Sequence, residues 1–193
     1  MEIFPMTSRI KRWIDIVDRV NGWAGNVVSL GAVLLVVLVC ANVLLRYALD
    51  HSILALQDLS WYIFGAMIFL GAAETFRHDR HVRVDVLYSH WPIRRRLWVD
   101  LFGIAFLLIP FCILVIAMSL DFVSASWMIG EGSPDPGGLG MRYIPKAFIP
   151  AGFLLLLLQA FAELGRRVLM LRGDLPLPDD AHSDDEEELP WPG

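Results

Sequence analysis

Cysteine is scarce in this sequence and histidine is absent from its long apolar runs, and both facts exclude classes of protein. Cys40 and Cys112 are the two cysteines among 193 residues. Each lies inside an apolar run, so neither a disulfide framework nor a zinc motif is present. All five histidines fall outside those runs, which excludes paired axial ligands for a haem buried between helices. C-x-x-C-H, H-E-x-x-H and glycine-rich phosphate-loop motifs are also missing. We therefore predict no cofactor, no metal site and no enzymatic activity.

Charge is missing from the middle of four long apolar runs. Hydrophobic residues make up 56% of the chain, and the mean hydropathy of +0.54 exceeds that of ordinary globular domains. A helix of about 20 apolar residues crosses a hydrocarbon layer about 30 Å thick. The runs therefore predict four transmembrane helices, at about 22–45, 56–76, 97–120 and 143–164. Pumps and channels usually carry a central charge or a pair of broken helices. Only proline kinks are present here, as at Pro110, so we do not expect this chain to conduct a substrate alone.

The basic residues are distributed unequally between the two sides of the predicted helices. Thirteen of the 16 lysines and arginines lie before the first run, between the second and third, or after the fourth. The other three are Arg46, Arg142 and Lys146. Because cytoplasmic loops carry the excess of Lys and Arg, we predict an all-α integral membrane protein of four transmembrane helices, N-in/C-in, with both termini cytoplasmic.

Segments outside the four runs predict further features around a membrane domain at 22–170. Residues 1–21 predict a cytoplasmic amphipathic helix in the membrane interface; the alternative is a charged leader. A short interfacial helix is predicted at about 84–91, the alternative being a solvated basic loop that serves only topology. Residues 121–142 contain strong helix breakers and predict an exposed loop, whereas 171–193 predict a disordered acidic tail. The apolar face of the N-terminal helix comprises Ile10, Trp13, Ile14, Val17 and Val20.

Polar residues mark the ends of the first two runs. Arg46 ends the first run at the level where Gln57 and Asp58 begin the second. Two explanations stay open: a contact across the helices, or Arg46 extending to the outer interface while Asp58 favours a helix N-terminus. At the inner end of the second run, Glu74 and Arg77 predict a local i,i+3 ion pair. Local electrostatics are also predicted for Asp100, Glu163, Arg166 and Arg167.

Four sequence fragments occur in a particular order around these runs. A-N-V-L-L-R-Y closes the first run, L-Q-D-L-S-W-Y opens the second, F-L-G-A-A-E-T-F-R ends it, and H-V-R-V-D-V-L follows. Together they resemble the small membrane subunit of tripartite ATP-independent periplasmic (TRAP) transporters, the DctQ-like family, over most of residues 25–170. The family often has two acidic residues where this chain has Gln57-Asp58.

The resemblance implies an accessory subunit in the bacterial inner membrane. Such a subunit would brace the large permease of a sodium-driven, binding-protein-dependent transporter for organic acids. The implied partners are the large permease subunit, the periplasmic substrate-binding protein and membrane lipids, with no nucleic acid. Loops 47–55 and 121–142 would face the binding protein, or serve only as linkers. The run G-E-G-S-P-D-P-G-G is more similar to the branch that handles organic monocarboxylates than to the sialic-acid branch. Candidate subunit-interface residues are Asn42, Arg46, Gln57, Asp58, Trp61, Glu74, Arg77, His81, Arg83 and Asp85.

The alternative class is an independent four-helix membrane protein, either a small redox carrier or enzyme or a small channel. A haem spectrum, quinone-linked activity or single-channel currents from the purified chain would favour it. Co-purification with a much larger permease would favour the accessory subunit.

Overall fold

A computed structural model describes residues 4–48, 50, 53–78 and 91–177. Two of its helices join without interruption through a π-helical turn and form one rod of 36 residues, Ile93–Met128. This described part of the chain contains helices, turns and loops, and no strand. Its elements are α1 (Phe4–Ala48), α2 (Leu54–Arg77), α3 (Ile93–Gly103), the π-helical turn (Ile104–Leu108), α4 (Ile109–Met128) and α5 (Tyr143–Arg172).

Four rods among the described residues are long and apolar enough to cross a membrane. For the described residues, the prediction of an all-helical fold with four helices able to span a membrane is therefore confirmed. Each observed rod is longer than the predicted span, because hydropathy detects only the apolar part and the helical hydrogen bonds continue into the polar ends. The rods are Ser8–Ala48, Leu54–Arg77, Ile93–Met128 and Tyr143–Arg172.

The N-terminal segment differs from the separate helix predicted for residues 1–21. Helix α1 continues from Phe4 to Ala48 with no break where the first span begins. Ile14 and Val17 of its apolar face are buried against Ala162 and Leu169 of α5. This protein contact supplies the apolar surroundings that the prediction had assigned to lipid. Trp13 and Val20 of the same stripe stay exposed, and their place in the membrane interface stays a prediction.

The predicted kink at Pro110 is accommodated by the π-helical turn Ile104–Leu108. Proline has no N–H to donate, and its ring crowds the carbonyl four residues earlier. A wider helical turn just before the proline relieves that crowding while the helix continues. The third span therefore remains a single rod and needs no break in the membrane.

Helix α5 contacts every other helix among the described residues and so lies at the centre of the bundle. Its buried residues recur every three or four positions, which is the spacing of one helix face. Gly152 sits directly against the backbone of Phe69 in α2. One helical turn later in α5, Leu156 packs with Ala73 of α2 and Cys112 of α4. A small residue at the crossing lets two backbones approach closely, as is common between membrane helices.

The predicted loop 121–142 begins later than expected, because α4 continues as far as Met128. The remaining segment, 129–142, has its own backbone hydrogen bonds. Ser133 N–H donates to the Leu139 carbonyl at 3.0 Å and Arg142 N–H to the Glu131 carbonyl at 2.9 Å. The predicted interfacial helix at about 84–91, with His81, Arg83 and Asp85 nearby, lies outside the described residues apart from Trp91.

Candidate functional site: two polar clusters and an outer groove

A buried pair of amides joins α1 to α5 towards the end of the bundle where α1 begins and α5 ends. We call this the inner end of the bundle and the opposite end the outer end. Asn21 Nδ2 donates to Gln159 Oε1 at 2.6 Å, and both side chains are completely buried. Gln159 Nε2 in turn donates to Asp18 Oδ1 at 3.0 Å. A buried polar group without a partner is costly in an apolar surrounding. These mutual hydrogen bonds therefore fix how the two helices align.

Two arginines extend this contact into an ionic network. Arg166 Nη2 lies 2.6 Å from Asp18 Oδ2. The next residue, Arg167, is only 5% exposed. Its guanidinium lies 2.6 Å from Glu163 Oε1 and 3.2 Å from Asp100 Oδ2 of α3. We call these side chains, together with Asn21 and Gln159, the inner cluster.

The inner cluster holds α1, α3 and α5 together, and each of its three carboxylates has an arginine partner. The sequence predicted local electrostatics for its α5 members, and the i,i+4 pair of Glu163 and Arg167 confirms that part. The contacts with Asp18 and Asp100 were not predicted. Carboxylates already paired with arginines are poorly placed to bind a substrate. Within the described residues no group of three or more His, Cys, Asp or Glu is arranged to hold a metal ion.

Glu74 and Arg77 connect the inner end of α2 to α1. Their predicted i,i+3 pair is confirmed, with Arg77 Nε 3.4 Å from Glu74 Oε2. Arg77 Nη1 also donates to the backbone carbonyl of Asp18 at 2.5 Å. The aliphatic part of Glu74 lies over Gly25, where an added Cβ would come within 2.8 Å of it. Both side chains thus contribute to the α1–α2 contact, and their proposed contact with a partner stays a prediction.

Asp58 anchors segment 129–142, which we call the outer loop. Its Oδ2 accepts a hydrogen bond from Leu139 N–H at 2.9 Å, and a Cβ added at Gly138 would lie 2.5 Å from the same oxygen. The contact with Arg46 that was one of two explanations is not formed: Arg46 is exposed, and no hydrogen bond or ion pair joins it to Asp58. The carboxylate instead binds a backbone donor 81 residues further along the chain.

Glu131 forms the second anchor of the outer loop. Its carboxylate pairs with Lys146 of α5 and accepts a hydrogen bond from Ser126 Oγ at 2.7 Å. The ammonium group of Lys146 also lies 4.0 Å from the centre of the Phe122 ring, a cation–π contact. The hydrogen bonds from Lys146 and Ser126 lower the pKa of Glu131 below its ordinary value of 4.5. The structure thus favours the charged carboxylate. We call this set, with Asp58 and Leu139, the outer clamp.

The outer clamp is expected to weaken in acid. A lowered folded pKa means that the contribution of Glu131 is present above pH 4.5 and is lost as the pH falls through the lowered value. In Glu131→Gln, hydrogen exchange of amides 131–142 should be faster than in the native chain at pH 7, and the difference should shrink as the pH falls through the lowered pKa of Glu131. Asp135→Asn, a change at an exposed carboxylate of the same loop, should have no effect at any pH. A difference that does not shrink as the pH falls would contradict a role for the Glu131 charge.

A groove of about 420 Å³ lies between α1 and α2 in their outer halves. It brings together three predicted interface residues, Asn42, Gln57 and Trp61, with Ser60 beside them. Asn42 Oδ1 is buried and accepts no hydrogen bond from the described residues. The apolar side chains of the groove are Leu35, Val39, Val43 and Phe64. We call it the outer groove.

Sequence reasoning missed several polar residues of these clusters. Asn21 follows Ile14 and Val17 on one helix face and precedes Ala24, so it interrupts a buried apolar stripe. Gln159 is the one polar residue in the run LLLLLQAFA. A polar residue on the buried face of an amphipathic or spanning helix could therefore have indicated a partner. The sequence does not indicate which residue is that partner.

The fold defines an integral membrane protein of four spanning helices whose polar groups bind each other at the two ends. The family model described as "Tripartite ATP-independent periplasmic transporters, DctQ component" matches residues 35–170, a stretch that reaches from α1 to α5. The chain therefore belongs to the DctQ family of TRAP transporter small permease subunits, as the sequence fragments indicated. The members of this family are transporter subunits rather than enzymes.

Two relatives give the range of similarity. The "Putative TRAP transporter small permease protein" of Haemophilus influenzae is 39% identical over 59 residues, which cover 31% of this chain and 37% of that protein. The C4-dicarboxylate TRAP transporter small permease protein DctQ of Vibrio cholerae is 28% identical over 136 residues, 60% of this chain and 58% of that protein. The chain thus spans 37% and 58% of the lengths of these two relatives. No solved structure matches it.

Proposed function

We propose that this chain is the small accessory subunit of a sodium-driven, binding-protein-dependent transporter for organic acids. In this proposal it braces a large permease subunit in the bacterial inner membrane and helps to dock the periplasmic binding protein. The observation that carries the proposal is the family match over residues 35–170, which runs from α1 to α5. The arginine-paired carboxylates of the inner cluster support it, because a subunit that braces needs internal rigidity rather than a substrate site.

Both termini are proposed to be cytoplasmic. The inner cluster, the start of α1 and the end of α5 then lie on the side that carries thirteen of the 16 basic residues. The outer clamp lies on the periplasmic side. Its two anchors hold loop 129–142 in one conformation, so this loop presents a defined surface to the binding protein.

The outer groove is the face we propose for contact with the large permease. Asn42 Oδ1 needs a hydrogen-bond donor, since a buried acceptor without one is unfavourable. Lipid chains have no donor to offer, whereas a transmembrane helix of a partner can supply one from a serine, threonine or asparagine side chain. Trp61 and Phe64 at the rim are exposed and add apolar area to such a contact.

Purification tests the assembly. The tagged chain, expressed with the large permease of its own transporter and extracted in mild detergent, should retain that permease through size-exclusion chromatography. Deleting the chain should abolish substrate uptake by cells that still make the permease and the binding protein. A stable isolated chain that never retains the permease, together with normal uptake in its absence, would overturn the proposed function.

Two matched phenylalanines test which face makes the contact. Phe64 lies in the outer groove with its ring 6.1 Å from that of Trp61, and Phe111 lies on α4 with its ring 5.8 Å from that of Phe153. Both are about half exposed and both make an edge-on ring contact. A benzophenone amino acid should crosslink the permease from position 64 and only lipid from position 111. The reverse result would place the partner on α4.

A further inference from the structure

The chain does not leave the fold where α5 ends but turns back across the inner end of the bundle. Gly173 has a left-handed φ of +83° and ends the helix, and Asp174 N–H donates to the Leu169 carbonyl at 2.9 Å. Leu175 then packs on the apolar cluster formed by α1 and α5. Lys11 Nζ donates to the Asp174 carbonyl at 3.4 Å. Residues 174–177 are therefore held against the protein.

A basic cavity of about 470 Å³ opens beside this returning segment. Arg94 of α3 and Arg172 of α5 line it, and Leu177, the last residue described, lines it too. Both arginines are exposed, and neither forms an ion pair with another described residue. Asp174 is the one acidic residue among the described residues that line the cavity, so the two arginines leave it with an excess of positive charge. The next part of the chain starts at its edge.

That next part is strongly acidic. Seven carboxylates occur within residues 179–188, with no Lys or Arg among them, and the first follows Leu177 by two positions. A fully extended chain advances at most about 3.3–3.6 Å per residue, so Asp179 and Asp180 are within reach of the cavity. A short tether also gives a segment an effective concentration in the millimolar range at a neighbouring site. Carboxylates bind arginine through charge-assisted hydrogen bonds.

We propose that the acidic tail, residues 178–188, docks on the basic cavity and pairs with Arg94 and Arg172. The competing occupants are anionic phospholipid headgroups, which attract basic residues close to the membrane surface. The tail is tethered beside the cavity, and its seven negative charges repel such headgroups. It therefore withholds the two arginines from the lipid surface. Because the attraction is ionic, salt weakens it.

Carbodiimide coupling tests the proposal, because it joins a lysine amine directly to a carboxylate in contact with it. The chain has only two lysines, Lys11 and Lys146. Coupling of Lys146 to Glu131, which are in contact, reports in every sample that the chain is folded. Arg94→Lys and Arg172→Lys keep the positive charge and introduce a coupling amine into the cavity. Arg19→Lys, an exposed position on α1, is the matched control.

In full-length chains reconstituted in phosphatidylcholine bilayers at low salt, peptide mapping should find residues 179–188 coupled to position 94 or 172. The yield should be at least tenfold higher than at position 19 and should fall severalfold in 0.5 M NaCl. Phosphatidylglycerol bilayers should leave the yield within about twofold. Equal yields at positions 94, 172 and 19 would mean a tethered but undocked tail. Loss of coupling in phosphatidylglycerol would assign the cavity to lipid headgroups. Either result would overturn the proposal.

Discussion

Replacing Gly152 with alanine is expected to separate α2 from α5 and to destabilise the chain more than any other single methyl group added to the bundle. A Cβ at this position would lie 2.5 Å from the carbonyl carbon of Phe69 and 2.7 Å from its Cβ, and closer still to its carbonyl oxygen. Because these are mainly backbone atoms, no side-chain rotation relieves the clash. We expect a loss of about 3 kcal/mol in the free energy of unfolding, the upper end of the usual cost of overpacking.

Gly65→Ala is the matched control for this prediction. Gly65 lies in α2 as well, but an added Cβ there meets nothing within 4 Å. Alanine is the better helix former, so this variant should be unchanged or slightly more stable. Denaturant unfolding in mixed micelles measures both variants, and the retention of the large permease shows whether the change reaches the assembly. Equal stability of the two variants would mean that α2 and α5 do not approach as closely as the structure has them.

The second large loss in the free energy of unfolding is expected on replacing Arg167. Arg167→Met would deprive Glu163 and Asp100 of their shared guanidinium, and both carboxylates are largely buried, with 11% and 14% of their side chains exposed. Removing one partner of a buried ionic group typically costs about 3–5 kcal/mol, because the remaining charge stays in an apolar surrounding. We expect a loss of this size in the unfolding free energy, together with release of α3 from α5.

The neighbouring residue provides the control. Arg166→Met removes the same chemical group from the same helix, but this side chain is 28% exposed. Its partners are Asp18, which is 25% exposed, and Glu163, which keeps its shorter contact with Arg167. Water can solvate the remaining charge, so the loss should be about 1 kcal/mol or less. A triple variant, Arg167→Met with Glu163→Gln and Asp100→Asn, should recover much of the stability, because it no longer buries the carboxylate charges. Equal losses at 166 and 167 would argue against a buried ionic network.

The spanning helices could be predicted because each depends on one local property, the length of an apolar run. The residues at which these helices end could not be predicted in the same way. Residues 121–128 contain Asp121, Ser124 and Ser126 and were predicted as loop, yet α4 continues to Met128. Ser126 binds Glu131, and the Trp127 ring meets that of Tyr143 at 4.5 Å. Such tertiary contacts support the last turns of the helix and override the local polarity.

Only some contacts of the polar clusters could be predicted from the sequence. A local pair such as Glu74 and Arg77 follows from spacing alone and was predicted. For Asp58, a contact with Arg46 at the same depth was one of the two explanations that the sequence left open, the other being a favourable place at a helix N-terminus. The structure instead pairs Asp58 with a backbone amide in the loop that precedes α5. Depth in the membrane restricts the possible partners, but only the packing of the helices selects one of them.

The position of α5 in the chain has a consequence for biogenesis. Helix α5, which contacts every other described helix, is the last of the four spanning helices to leave the ribosome. Until it enters the membrane, Asn21 is without the Gln159 amide and Asp18 is without Arg166. Helices α1 and α2 pack against each other and can associate before α5 emerges, whereas the hydrogen bonds and ion pairs of the inner cluster form only after α5 enters the membrane. The order of synthesis therefore sets the order in which the bundle closes.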